Sequence, residues 1–479
     1  MQASKKSSFR WSITILLFFA TTINYLDRQV LSLTWKDFIV PEFHWTNNDY
    51  GTITATFSLV YAFAMLFAGR IIDFMDTKKG FFWFIFVWSV GACLHAFCGI
   101  ATAGWLNGTW LVGFAEAKQN ISTLTNTAQV ISVSVSFFIF ARVVLAIGEA
   151  GNFPASIKAT AEYFPKKDRA LATSVFNAGA TVGALLAPLS IPFIAKAFGW
   201  EMAFIIIGSL GFIWMGFWVF IYKKPHLNPK VNEAELLYIQ QDDHDNNATN
   251  TTNTNAAAKI GFIQALQYKQ TWAFAIGKFM TDGVWWFFLF WTPAYLSSVY
   301  NLNATQSAPQ IFVLYGITLL SIIGGWLPTY FVDKKAMNPY NGRMKAMLIF
   351  AFIPLLTLLA QPLGSISVWL PVIIIGVAGA AHQSWSANIF TTVGDMFPKH
   401  AIATITGIGG MAGGIGSFLI NKGSGVLFDY TTKSQMVFFG FKGIEAGYFI
   451  IFSICAVAYL IGWIIMKSLV PHYKPITDL

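Results

Sequence analysis

The sequence predicts an all-α membrane protein with about twelve transmembrane helices, and three features of its composition point there. Charged residues are only 11% of the 479 residues, where an ordinary soluble domain carries roughly 25%. Hydrophobic residues reach 55%, with 46 Phe and 18 Trp, more apolar surface than a soluble core needs. That apolar content falls into separated runs, each near the ~20 residues that a helix needs to cross a bilayer.

The first run, from about Trp11 to Leu33, follows Lys5, Lys6 and Arg10. It is too long for a signal-peptide core and lacks a small-residue cleavage pattern after it, so it reads as a retained span. Further runs cover roughly 51–72, 80–101, 137–160, 169–195, 201–222, 271–299, 310–332, 344–363, 366–392, 401–428 and 446–468. Backbone groups in lipid must be hydrogen-bonded within their own segment, which makes these runs helices. Pro293, Pro354 and Pro371 fall inside or near span ends as tolerable kinks. Cys93, Cys98 and Cys455 all sit in apolar runs without metal-ligand spacing, and neither metal nor cofactor is expected.

The net charge of +9 invites a nucleic-acid reading, which the placement of the charges removes. Of the 31 Lys and Arg residues, Arg28, Arg142 and Lys278 lie inside apolar runs. Lys36, Lys118, Lys196, Lys422, Lys433 and Lys442 fall in odd-numbered connections or the run ends beside them, and the other 22 in even-numbered connections, the run ends beside them and the two tails. That asymmetry predicts a multi-pass protein of the cytoplasmic (inner) membrane with both termini in the cytoplasm. The basic charge is a topology signal, and no nucleic-acid partner is expected. Residues 223–270 form the longest cytoplasmic connection and include the polar run HDNNATNTTNTNAAAK, which reads as a flexible linker. Three units follow: a first six-helix bundle at 1–222, the linker at 223–270 and a second bundle at 271–479. Asn247 and Asn250 match a glycosylation pattern but sit on the predicted cytoplasmic side, so they are discounted.

The halves resemble each other. EYFPK at 162–166 recurs as DMFPK at 395–399, an offset of 233, each after the fourth span of its half and before a Gly-rich span. Gly69, Lys78 and Lys79 recur as Gly325, Lys334 and Lys335 at an offset of 256, and the longer connection at 102–136 absorbs the difference. Parallel repeats joined by a linker suit a carrier whose bundles rock about a midplane site. The glycines at 407, 409, 410, 413, 414 and 416 lie within a span with no strand before them, so they predict close helix packing rather than a nucleotide loop.

GRIIDFMDTKK at 69–79 resembles the cytoplasmic signature of the major facilitator superfamily, keeping Gly69, Asp73, Lys78 and Lys79 as a gating motif. It departs at Phe74, where a basic residue is usual, and at Asp76, where Gly is usual. NYLDR at 24–28 and ARVVLAIGEAGNFPASIKATAEYFP at 141–165 resemble the anion:cation symporter family within it, and the runs at 277–296 and 381–398 are similar to that family's hexuronate transporters. The resemblance implies the major facilitator fold: twelve helices in two six-helix bundles related by a parallel repeat. It also implies proton coupling for Asp27 and Glu149, and substrate contact for Tyr25 and Arg28, with Tyr61 similar to a further contacting tyrosine.

The intramembrane charges carry the chemistry. A charge at the bilayer centre costs at least ~2.5 kcal/mol, so each needs a partner or a task. Asp27 and Arg28 lie in the first span, Arg142 and Glu149 on one face of the fourth. These charges could be structural ion pairs joining the two spans, or a substrate site with a proton relay. An arginine holds a carboxylate through two parallel hydrogen bonds. A substrate carboxylate that displaces a protein carboxylate from such an arginine leaves it poorly solvated and without counter-charge, and it takes up a proton. Arg142 belongs to the same coupled set.

In the second half, His382, Trp385 and Asn388 follow at three-residue steps with Gln383 beside them, and the 233 offset makes His382 the mate of Glu149. Gln383 and Asn388 could bond sugar hydroxyls and Trp385 could stack on a pyranose ring; a lone intramembrane His is as readily a satisfied polar residue. Lys278, Asp282 and Trp286 repeat at four-residue spacing, with Lys278 either in a structural pair with Asp282 or helping to hold the anion. The expectation is a monomeric proton-coupled symporter importing sugar-acid anions, hexuronates first. Another organic anion (aldonate, aldarate or dicarboxylate) is the first alternative and a membrane sensor a more distant one. With no nucleophile motif and no metal cluster, an enzyme is not expected.

Overall fold

The computed structural model describes residues 7–241 and 261–476; Lys5, Lys6 and the run at 244–259 lie outside them. Among the described residues twelve long helical rods follow one another: span 1 (Phe9–Phe43), span 2 (Asn47–Met75), span 3 (Thr77–Asn107), span 4 (Thr127–Tyr163), span 5 (Lys166–Phe198), span 6 (Trp200–Ile221), span 7 (Lys269–Tyr300), span 8 (Ala308–Lys335), span 9 (Pro339–Gly364), span 10 (Trp369–Met396), span 11 (Lys399–Ser434) and span 12 (Ile444–Leu469). Among the described residues, nine are long and apolar enough by themselves to cross a membrane. Spans 7, 10 and 11 are the less apolar three, and for a physical reason. They carry Lys278 and Asp282, His382 and Asn388, and a glycine row with Asn421, and they pack against other spans on several sides. Phe63, Phe67, Phe140, Phe220, Ile322 and Ile464 point outward and exposed, an apolar girdle that only lipid would cover.

The repeat is visible in the backbone. Spans 4 and 5 meet at Phe164 (φ −128°, ψ 136°) and Pro165 (φ −64°, ψ 156°), and spans 10 and 11 at Phe397 (φ −125°, ψ 148°) and Pro398 (φ −65°, ψ 153°). A residue before proline is pushed out of the α region, so each Phe-Pro ends one helix and starts the next.

Span 1 lies against span 5, and span 3 against spans 4 and 6. The halves meet where span 2 runs along span 11 and span 5 along span 8. Glycines permit the first contact. A Cβ at Gly414 would strike Ala62 of span 2, and one at Gly416 the Phe279 carbonyl of span 7. The glycine row therefore serves close helix approach.

At the face opposite the termini the halves are joined. Asp429 accepts from the backbone and side chain of Asn47 (3.0 and 2.9 Å) and from the Asn48 amide (2.8 Å), capping span 2 from the other half. Lys422 donates to Asn48 and Thr52, and Asp37 accepts from Ser297 and the Ala304 amide. Behind them Trp35 stacks on Tyr50 at 4.0 Å, and Trp291 meets Tyr50 edge-on at 5.0 Å. This face is closed. The connection expected at 102–136 lies on the same side and is shorter, 108–126, because span 3 runs on to Asn107 and span 4 starts at Thr127; its helix Phe114–Ser122 packs against the end of span 3.

At the face bearing the termini, a short helix after span 6 (Glu233–Ile239) ties back to span 1. Buried Glu235 accepts from the amides of Phe9 and Arg10 and pairs with the Arg10 guanidinium at 3.0 Å.

Asp76, between spans 2 and 3, has φ 71° and ψ 149°, a backbone region that glycine enters freely and other residues enter at a cost of about 1–3 kcal/mol. Its carboxylate accepts from the Thr77 amide at 2.6 Å and pairs with Lys224 at 3.1 Å. Burial pushes that carboxyl up, but the hydrogen bonds from Lys224 and Thr77 outweigh it and hold it below the usual range. Asp76→Ala keeps the strain and loses both bonds; Asp76→Gly loses the bonds and the strain together. The glycine variant should be the more stable of the two by about 1–2 kcal/mol. Thermal unfolding of the two proteins in one detergent reads this, and equal midpoints would show the backbone unstrained.

Candidate functional site

Midway along spans 1 and 4 the intramembrane charges converge. Arg28 donates to one oxygen of Glu149 from both Nε (2.9 Å) and Nη2 (2.6 Å), and Nη2 also reaches the Asn24 side-chain Oδ1 at 3.4 Å. Glu149 is fully buried and its second oxygen has no hydrogen-bond partner among the described residues. Rings surround the guanidinium: Tyr61 at 4.9 Å, Tyr25 at 5.0 Å, Trp286 at 5.1 Å and Phe57 at 5.7 Å from ring centre to Cζ. Three belong to the first half and Trp286 to the second, so this cation sits where the halves face each other. The arrangement follows from helix geometry, because Tyr25 and Arg28 are three apart on span 1, and Phe57 and Tyr61 are four apart on span 2.

Asp27 points the other way. Its Oδ2 accepts from the Trp88 indole of span 3 at 2.5 Å and its Oδ1 has no partner among the described residues. None of the three Arg142 nitrogens has one either, although the side chain is buried with its Cζ 5.3 Å from the Phe57 ring. Arg142 lies within electrostatic reach of Asp27, Glu149 and Arg28, and Asp27 within reach of Glu149. Two acids and two guanidinium groups thus share one desolvated place with a single direct pair among them. A buried arginine with unused donors is a ready receptor for an oxyanion or for the free Asp27 oxygen.

The second half distributes differently. On span 7, Lys278 pairs with Asp282 at 2.8 Å and lies 4.2 Å from the centre of the Phe390 ring. On span 10, His382 Nδ1 shares a hydrogen bond with the Tyr459 hydroxyl (2.8 Å) and its ring lies parallel to Trp285. Asn388 donates to the carbonyls of Gly324 and Ser384, both at 2.8 Å. Trp385 is 0% exposed and edge-on to Tyr459, so it offers no open face for a pyranose in this conformation. Gln383 is half-buried. His382, Trp385 and Asn388 are therefore committed to neighbouring helices, and the stacking and hydroxyl-bonding surface expected of them is closed here. The aromatic face that does meet the charged centre is Trp286, visible in the sequence only as the third member of the Lys278–Asp282 spacing. Trp88, the partner of Asp27, gave no signal among 18 tryptophans.

Among the residues of the 69–79 signature, Asp73 pairs with Lys158 at 2.9 Å, Lys78 donates to the Val219 carbonyl at 2.7 Å, Lys79 is exposed and Gly69 is half-buried. These contacts tie the end of span 2 to span 4 and the start of span 3 to span 6 on the face bearing the termini.

Residues 17–420 match the profile of the Major Facilitator Superfamily. The chain belongs to that family. As a major facilitator it is a multi-pass membrane transporter and not an enzyme. It is similar to a hexuronate transporter of Escherichia coli strain K12, 28% identical over 434 residues and 89% of each chain. A galacturonate transporter of Dickeya chrysanthemi is 27% identical over 342 residues, 70% of this chain and 86% of that one. A protein named "Probable galactarate/D-glucarate transporter" from Escherichia coli strain K12 is 22% identical over 449 residues, 91% and 93%. Among solved structures, a bacterial homologue of the human lysosomal transporter Spinster in an inward-facing, unoccupied conformation shares the fold, with a TM-score of 0.64 at 16% identity over 98% and 97% of the two chains.

Proposed function

We propose that this major facilitator is a proton-coupled symporter that imports sugar-acid anions, hexuronates such as glucuronate and galacturonate, by alternating access. It would sit in the cytoplasmic membrane as a monomer with both termini inside. The observation that carries the reading is Arg28, a buried guanidinium facing both halves and held by one oxygen of Glu149. A substrate carboxylate has the shape to take over those donors. Glu149, displaced and without counter-charge in a site closed to water, then takes up a proton. Anion and proton favour each other's binding, and the coupling is reciprocal.

Voltage gives this coupling its use. Carrying a monoanion into an inside-negative cell costs ~2.3 kcal/mol per 100 mV, which one proton cancels and a second reverses. Asp27 is the second acid, and Arg142, within electrostatic reach of both Asp27 and Glu149, is the group that senses both. Tyr25, Tyr61 and Trp286 shape the pocket for a ring beside the carboxylate, and Lys278 stands about two helical turns from Trp286 along span 7. The set of Gly69, Asp73, Lys78 and Lys79 would break and re-form as the cytoplasmic face opens and shuts. Names of relatives support the substrate class: the two that are 28% and 27% identical are uronate transporters.

Counterflow tests it. Proteoliposomes loaded with unlabelled glucuronate should accumulate labelled glucuronate, faster with an inward proton gradient, and unlabelled galacturonate should compete while neutral glucose should not. Equal competition by glucose, or indifference to the gradient, would overturn the anion or the proton claim respectively.

A further inference from the structure

Resting on the sugar-acid reading, we infer that Asp282 sets the class of acid accepted: a carboxylate at one end of the substrate and a hydroxyl at the other, with aldarates, which carry a carboxylate at each end, turned away. Asp282 is four residues before Trp286 on span 7, so it lies on the same helix face about 6 Å along the axis. Trp286 covers the Arg28 guanidinium, and Asp282 is within electrostatic reach of Tyr25, another wall of the same box. A substrate with its first carboxylate on Arg28 and its ring along Trp286 would extend toward Asp282. Space for that carboxylate is made by span 11, where Gly413 has no side chain and a Cβ would strike it.

The cation beside it is unavailable. The Lys278 ammonium is taken by Asp282 at 2.8 Å and by the Phe390 ring, and its side chain is 5% exposed against 14% for Asp282. The acid is the member of the pair that an incoming group meets first. A hydroxyl at the far end of a hexuronate can donate to it. A second carboxylate meets the more exposed edge of a carboxylate whose one counter-charge is already engaged, and like-charge juxtaposition disfavours it there. Discrimination of this kind comes from the repulsive element as much as from the attractive one. Arg28 alone would take any carboxylate; Asp282 decides what stands at the other end.

Competition in glucuronate counterflow, with unlabelled glucuronate and glucarate compared in the same liposomes, tests this. The wild-type protein should be inhibited by glucuronate and at least about tenfold less by glucarate. In D282N the lysine is released toward the cavity, so the ratio should shift by about tenfold or more in favour of glucarate, while D282E should retain the exclusion. If D282N is lost from the membrane, K278Q/D282N removes both charges, leaves no unpaired cation and should also relax the exclusion. Equal inhibition of the wild-type protein by both acids, or a ratio unchanged in both Asn-containing variants, overturns the role of Asp282. Absence of any glucuronate counterflow would instead strike the sugar-acid reading beneath it.

Discussion

Arg28→Ala should abolish sugar-acid uptake, with a loss of roughly 100- to 1,000-fold, while the protein still inserts and folds. The expected size follows from the bond removed. An arginine–carboxylate contact in a desolvated site, once one partner is deleted, costs about 3–5 kcal/mol, and each 1.4 kcal/mol is a factor of ten in affinity. Folding should survive because the remaining partner is Glu149, which can take a proton and become neutral. Arg28→Lys should fall between the two. It keeps the charge but loses the Nε–Nη2 fork that now grips one Glu149 oxygen, and a compact ammonium stacks less well among Tyr25, Tyr61, Phe57 and Trp286. Glucuronate uptake and glucuronate-dependent thermal stabilisation should fall together in both variants. Uptake by Arg28→Ala within tenfold of the parent would show that the anion is held elsewhere.

Much of this molecule is legible in its sequence, for reasons that also explain what is not. Long apolar runs announce themselves because lipid tolerates no unpaired backbone. Spans 7, 10 and 11, less apolar than the rest, were still legible, since Phe-Pro corners and the repeat marked the ends of spans 10 and 11 and the polar linker preceded span 7. Asp27, Arg28, Arg142 and Glu149 stood out because a charge in a bilayer is costly. Their pairing was hidden. Sequence spacing says which residues share the face of one helix, whereas the Arg28–Glu149 contact depends on how spans 1 and 4 are rotated against each other. The same limit applies to Asp27, whose bond goes to Trp88 rather than to an arginine. On span 10, mirror symmetry suggested a cavity-facing set, yet polar side chains inside a membrane also serve as glue between helices. His382 on Tyr459 and Asn388 on the Gly324 carbonyl are of that second kind in this conformation.

Glu149→Gln should separate exchange from proton-driven accumulation. The substitution is nearly isosteric but removes the charge that balances Arg28, leaving a buried guanidinium with a neutral neighbour, since Arg142 is a second cation and Asp27 faces Trp88. Breaking such a pair destabilises by about 3 kcal/mol, so the empty protein should unfold at a lower temperature. A glucuronate carboxylate can take the place of the missing one, so ligand should raise the melting temperature more in the variant than in the parent. Binding no longer has to displace a resident acid, and labelled glucuronate should still exchange against unlabelled glucuronate. Net uptake driven by a proton gradient should collapse, because the amide cannot carry the proton that the displaced carboxylate would take. Asp27→Asn makes the comparison sharper: it leaves the Arg28–Glu149 pair in place, so any loss of coupling there reports the second acid alone. Intact gradient-driven uptake in Glu149→Gln would mean that the proton travels without Glu149, and the contest for Arg28 would then explain binding but not coupling.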